Sequence, residues 1–235
     1  MSTVAIITAR GGSKRIPRKN IRDFLGKPMI AYPLQVALDS GVFDRVIVST
    51  EDAEIAEIAK GLGAETPFVR PMELADDHTG TMPIVQHALR WLIDHGEPIE
   101  YASCIYPTSP FLTAEVLTQG IDLLKQQRKD FAFSVGRFSY PIQRALKRTE
   151  NGGVKPFTPE FIPCRSQDLE PAYHDAGQFY WGTAEAFLEN RPVFSEAAIP
   201  VVLPDHMVQD IDNEEDWIRA EFMYQAQRLA ESKKQ

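Results

Sequence analysis

The chain has 235 residues, 43% of them hydrophobic and 25% charged, with a formal net charge of -8 at pH 7. That length can bury a substantial core, the ordinary composition argues against a disordered chain, and the acidic balance argues against a nucleic-acid partner. The longest apolar runs, such as VAIIT and RVIVST, fall far short of the roughly 20 residues that cross a bilayer. No signal peptide is evident, and Cys104 and Cys164 make no disulfide framework. The expectation is therefore a cytoplasmic protein with no membrane partner.

In chain order, VAIIT (Val4–Thr8) reads as the first strand. A basic loop follows, then a helix over PMIAYPLQVALDSG that ends near Gly41, then a strand over DRVIVST. EDAEIAEIAKGLG is an amphipathic helix with Ile55, Ile58, Ala59 and Leu62 on one face and Gly63 as its stop. AETPFVRP predicts a short strand leading into a loop. TGTMPIVQHALRWLIDHG predicts a longer helix and YASCIY a strand. TAEVLTQGIDLLKQQ predicts a helix capped by Thr113 with Glu115 in its first turn, and FAFSVGRF another strand. This alternation implies an α/β fold with a mostly parallel sheet and helices on both faces. From about Ser139 to Asp175 the rhythm breaks into a long loop-rich stretch, which in a compact domain marks a functional or interface segment. Regular structure resumes with GQFYWGTAEAFLEN, IPVVLP and a helix from about Asn213 to Ala230.

The loop after the first strand carries Arg10, Lys14, Arg15, Arg18, Lys19 and Arg22. In parallel sheets ligands sit at the carboxyl ends of strands, and this loop lies at such an end. Gly11 and Gly12 permit a close backbone approach. Their N–H groups, with that of Ser13, suit an anion-binding nest, and Arg10 and Lys14 add charges that match phosphate. The dinucleotide fingerprint G-x-G-x-x-G and the G-x-x-x-x-G-K-[ST] phosphate loop are both absent.

Further along, Pro71 holds Arg70 extended, either as a surface arginine pairing with Asp76 or Asp77 or as a ligand contact. YPTSP (Tyr106–Pro110) presents the hydroxyls of Thr108 and Ser109 at a strand end, although Pro-Thr-Ser is also ordinary turn chemistry. In VQDIDNEEDW, Asp210 and Asp212 face the same way on an extended segment and can meet one Mg²⁺. The same acids also suit the start of the following helix. CRSQDLEPAYHDAGQFYWG combines arginine, carboxylates and aromatic rings in a mixture that suits a carboxylated, polyhydroxylated sugar, or alternatively an interface. His78, His87, His95 and His206 show no metal-ligand spacing.

The loop ARGGSKRIPRKN resembles the signature of the CMP-sialic acid synthetase family, cytidylyltransferases that activate nonulosonic acids. KPMIAYPLQVAL, FDRVIVSTEDAEIAEIAKGLGAE and RPMELADDHTGT continue the resemblance over most of the chain. It implies a three-layer, Rossmann-like nucleotidyltransferase fold as one domain over 1–235, with an inserted dimerisation and acceptor segment at about 139–175 and a homodimer. It implies CTP as co-substrate, Mg²⁺, and a nonulosonic acid acceptor. Arg10, Lys14 and Lys19 would neutralise the triphosphate. Gly11, Gly12, Ser13, Asn20, Arg70, Thr108 and Ser109 would bind the nucleotide. Asp210 and Asp212 would hold the metal, with Asp212 or Asp175 available to assist as a base. The acceptor would meet Tyr106, Arg165, Gln167, Asp168, His174, Asp175, Gln178 and Tyr180. Thr8 stands where family members commonly have proline, which changes loop stiffness and leaves charge alone. Tyr106 stands where the sialic acid enzymes carry glutamine, which counts against sialic acid itself. HDAG and FSYPIQRAL resemble the branch acting on pseudaminic acid, with legionaminic and N-acetylneuraminic acids as alternatives. A non-catalytic nucleotide-binding regulator is the rival of a different class, and the intact ARGGSK and DID weigh against it.

Overall fold

The computed structural model describes residues 2–76 and 79–232, so Asp77 and His78 lie outside the described residues. The first strand, β1 (Thr3–Thr8), turns Val4 and Ile6 to one face and Ala5 and Ile7 to the other, and all four are fully buried. That is the pattern of a central strand covered on both sides. After it come β2 (Asp23–Phe24), β3 (Lys27–Pro28), α1 (Ala31–Asp39), β4 (Arg45–Ser49), α2 (Ala53–Gly61), α3 (Thr81–Asp94), β5 (Tyr101–Ile105) and α4 (Ala114–Gln127). The rest of the chain forms β6 (Phe131–Arg137), β7 (Leu146–Arg148), β8 (Val154–Pro156), β9 (Tyr173–Thr183), α5 (Ala184–Leu188), β10 (Ala198–Val202) and α6 (Glu214–Ser232).

Six strands form one sheet in the order β10-β6-β9-β5-β1-β4. The pairs β1–β4, β1–β5 and β6–β10 are parallel, whereas β9 runs antiparallel to both its neighbours. Leu34 of α1, Ile55 of α2 and Leu117, Ile121 and Leu124 of α4 pack on one face. Val85, Leu89 and Leu92 of α3 and Phe187 of α5 pack on the other. The three layers and the mostly parallel sheet are as expected. The reversal of β9 is not, and it matters for the site. The carboxyl ends of β1, β5 and β6 share one edge, and the reversed β9 brings its amino end to that same edge.

Three local expectations change. AETPFVRP forms a single bridge, between Ile47 and Glu65, because Pro67 and Pro71 cannot donate to a ladder. Thr113 occupies the start position of α4 without a side-chain cap bond. HDAG lies inside β9 rather than in the loop before it.

Between β6 and β9 the chain makes an excursion holding the β7–β8 hairpin and several short 3-10 turns. It leaves Tyr140, Leu146, Val154 and Phe157 exposed. A third apolar cluster joins Ile16 of the basic loop, Phe24 and Met29 to Ile211, Trp217 and Ala220. Ile211 is fully buried there, so this cluster anchors the segment carrying Asp210 and Asp212 beside the basic loop. Among the described residues no helix is long and apolar enough to cross a membrane.

Candidate active site

The basic loop leaves β1 at Thr8 and is tied down at several points. A Cβ on Gly11 would lie 2.3 Å from Asp52 Oδ2, so only glycine fits without displacement. The Gly11 N–H donates to Glu51 Oε1 at 2.7 Å, and Glu51 Oε2 accepts from Arg70 Nη2 at 2.5 Å. Arg70 Nη2 also donates to Ala9 O at 3.1 Å, and the residue is 2% exposed. Arg70 is thus a buried arginine whose acidic partner is Glu51. Asn20 Nδ2 donates to Arg10 O at 2.9 Å, holding the same turn from the other side. The nest expectation changes accordingly. The Gly11 N–H is occupied by Glu51, while a Cβ on Gly12 would meet nothing within 4 Å.

The six cations divide into two sets. Arg18 forks onto Asp52 and Glu54. The Arg18 hydrogen bond holds the Asp52 carboxyl down at about 2, and Asp52 in turn caps α2 through Ile55 N. Arg22 pairs with Glu214 and lies over the Trp217 ring at 4.5 Å. These two serve the scaffold. Arg10, Lys14, Arg15 and Lys19 line a cleft of about 270 Å³, together with Ser13, Asn20, Arg70, Tyr106, Thr108 and Asp212. Lys19 Nζ donates to Ile211 O at 2.6 Å and lies 3.9 Å from Asp212, and burial lowers its pKa despite that carboxylate. Arg15 pairs with Asp212 at 2.8 Å.

The start of α6 is served by Asn213 and Asp216. Asn213 Oδ1 accepts from Asp216 N at 3.0 Å, and Asp216 Oδ2 accepts from the N–H groups of Asn213 and Asp212, each at 3.1 Å. This is a reciprocal capping arrangement. The Asp210 and Asp212 carboxylates take no part in it and line one cavity wall. Partial withdrawal from water, and then the like charge of Asp212, raise the Asp210 pKa above the ordinary value. Such a like-charge pair fits a divalent cation whose remaining ligands are phosphate and water.

That wall belongs to a second cavity of about 490 Å³, which shares Arg15 and Asp212 with the first and adds Arg137 and His174. A third, of about 230 Å³, lies behind Tyr106 and is lined by Asp175, Tyr180 and apolar side chains. The Tyr180 hydroxyl donates to Asp175, and the Tyr106 ring lies against that of Tyr180 with centroids 5.6 Å apart. Burial raises the Tyr106 pKa to about 12.

The expected acceptor residues therefore separate. Tyr106 lines the cleft, His174 the second cavity, and Asp175 and Tyr180 the third. Arg165 lies exposed on the excursion, with its fork on Asp168 at 2.7 and 3.1 Å. Gln167 lines an outer groove with Tyr140 and Glu170. Gln178 is buried beneath the site, donating to Met207 O. On the nucleotide side, Thr108 faces the cleft, but Ser109 is 2% exposed and directs its hydroxyl toward Gln178 O at 3.5 Å. Glu51, Arg15 and Arg137 complete the site without having been singled out by sequence. Arg15 was visible inside the basic run. Glu51 and Arg137 left no signal beyond their places at the ends of β4 and β6.

The protein-family model described as cytidylyltransferase matches residues 4–229. The pseudaminic acid cytidylyltransferase of Campylobacter jejuni is 45% identical over 224 residues, covering 95% of this chain and 97% of that protein. The CMP-N,N'-diacetyllegionaminic acid synthase of Legionella pneumophila is 32% identical over 228 residues, covering 94% and 95%. A solved structure of CMP:2-keto-3-deoxy-manno-octonic acid synthetase complexed with CTP superposes with a TM-score of 0.68 at 16% identity. It covers 97% of this chain and all of that one, and is a likeness of fold.

Proposed function

The chain belongs to the cytidylyltransferase family, and on that premise we propose that it couples CTP to pseudaminic acid, giving CMP-pseudaminic acid and pyrophosphate. The anomeric hydroxyl attacks the α-phosphorus, its proton leaves to a base, and the bond to the pyrophosphate oxygen breaks. The observation that carries the reading is the shared wall. Arg10, Lys14 and Lys19 line the first cavity, Asp210 and His174 line the second, and Asp212 borders both. A triphosphate held by the cations reaches the acceptor across that boundary.

Catalysis of such a transfer is mostly positioning and charge stabilisation. The loop cations bind and orient the phosphates. Arg70 and Asn20 act one step back, holding the loop in shape through Glu51, Ala9 O and Arg10 O. Thr108 lies within the same cleft, where its hydroxyl can meet the nucleoside. Asp210 and Asp212 would hold Mg²⁺, which supplies charge neutralisation to the phosphates when bound. Asp175 and Tyr180 form a hydrogen-bonded carboxylate and hydroxyl pair beside the Tyr106 ring on the acceptor side. The exposed apolar side chains of the excursion support a homodimer through that segment; sedimentation equilibrium returning only monomer would remove it.

Tyr106, HDAG and the identity to the Campylobacter jejuni relative favour pseudaminic acid as acceptor. The test is pyrophosphate release with CTP and Mg²⁺, run separately with pseudaminic, legionaminic and N-acetylneuraminic acids. Release with pseudaminic acid alone is expected. Release with another acid keeps the chemistry and overturns the acceptor, and none with any acid overturns the reading.

A further inference from the structure

We propose that Arg137 recognises the carboxylate of the acceptor acid and so makes the enzyme select for an acid over its neutral derivatives. The proposal rests on the reading of the cleft as a CTP and sugar-acid site. In a nonulosonic acid the carboxylate is bonded to the same carbon as the attacking hydroxyl. Whatever brings that hydroxyl to the α-phosphate therefore brings a second negative charge to the wall that already carries Asp210 and Asp212. Asp205 and Asp216 line the same cavity. An anion enters such a place where a cation offsets the repulsion, and Mg²⁺ on Asp210 and Asp212 would still leave Asp205 and Asp216 uncompensated.

The cations available there are few. Arg15 lines the cavity but is engaged by Asp212 at 2.8 Å. Arg165, the arginine that the sequence favoured, holds Asp168 on the outer surface. Arg137 lines the cavity, is exposed, and makes no side-chain hydrogen bond or ion pair among the described residues. It is unpaired although Asp205 lines both of the cavities it borders. A guanidinium held at a polar wall without a protein partner matches a carboxylate in bidentate geometry.

The backbone supports this role. Arg137 is the last residue of β6 and pairs with Tyr173 at the start of β9, with Gly136 opposite His174 in the preceding register. A Cβ on Gly136 would lie 2.8 Å from His174 Nε2, so the imidazole packs directly over the residue before Arg137. The arginine thus projects from a paired strand end, which holds a recognition group better than a free loop does.

The test compares pseudaminic acid with its methyl ester, which keeps the hydroxyl and removes the charge, at saturating CTP. Wild type is expected to favour the acid by about 10- to 100-fold in kcat/KM. Arg137→Gln should erase most of that preference while leaving the melting temperature unchanged and the KM for CTP within about twofold. Arg137→Lys should restore part of the preference. An Arg137→Gln enzyme that still favours the acid as wild type does overturns the proposal, whatever its absolute rate. So does a variant in which the CTP constant moves as far as the acid constant. Wild type inactive with every acid overturns the proposed function instead, and this inference with it.

Discussion

Around the loop that follows β1, most charged groups have internal partners. Glu51 joins Gly11 to Arg70, Asp52 joins Arg18 to the start of α2, and Glu214 joins Arg22 to α6. Along the end of β6 and the excursion that follows it, among the described residues Arg137 is unpaired, Arg165 pairs only with its near neighbour Asp168, and large apolar side chains face solvent. The contrast teaches where each half obtains its selectivity. A triphosphate is a constant ligand, and a loop held in one shape before binding loses little freedom when the ligand arrives. Under the proposed function, the acceptor half has fewer internal ties and leaves its recognition groups open to the sugar.

Asp212 borders both halves. Asp212→Ala should lower kcat by about 10²- to 10³-fold while calorimetry still detects CTP, since Arg15 and Lys19 are then released to the phosphates. Full turnover would remove Asp212 from the site. Arg70→Ala should cost about 3–5 kcal/mol in urea denaturation, because it strands Glu51 in a nearly buried position. A loss seen only in the KM for CTP would mean that Arg70 is a ligand contact and no strut. Gly11→Ala should destabilise by about 1–3 kcal/mol through its clash with Asp52, whereas Gly12→Ala, facing open space, should stay within about 0.5 kcal/mol. Equal effects at the two glycines would undo the account of the loop.

A finer test uses acid. The fold depresses the Asp52 pKa from 3.8 to about 2, chiefly through the Arg18 hydrogen bond. Its stabilisation is therefore complete above pH 3.8 and lost as pH falls through about 2. Arg18→Met should lower stability above pH 3.8 and flatten the loss between pH 3.8 and about 2 in melting curves; an unchanged acid limb would contradict the pair. Arg165→Ala should do least, with stability within about 0.5 kcal/mol and no change in the KM for the acid. A rise in that KM would return Arg165 to the acceptor side.

The layered fold and the basic glycine loop were legible because both are local. Hydrophobic period and residue type within a few positions carry them. The direction of β9 was not legible, since an apolar run reads the same in either direction and only its neighbours reveal the reversal. Arg70 illustrates another limit. Its motif with Pro71 was plain, but its partner Glu51 lies just past β4, 19 residues earlier, and could not be read from spacing. For Asp210 and Asp212 the competing helix role dissolved only when Asn213 and Asp216 were found to cap α6 themselves. At the acceptor end, the residues crowded together in sequence between Arg165 and Tyr180 separate in space, because the polypeptide turns from the outer excursion into the sheet at Tyr173.

The reversal of β9 has a wider consequence. Because β6 runs toward the reactive edge and β9 runs away from it, the polypeptide leaves the sheet and re-enters it on the same side. The excursion is therefore a loop hung from two adjacent hydrogen-bonded strands, anchored by the pairing of Arg137 with Tyr173. Insertions, deletions or wholesale replacement between those anchors change what faces the acceptor without rethreading the core or shifting a strand register. Under the proposed function, such an arrangement would make acceptor choice an evolutionarily separable module, free to diversify beside a nucleotide half that stays as it is.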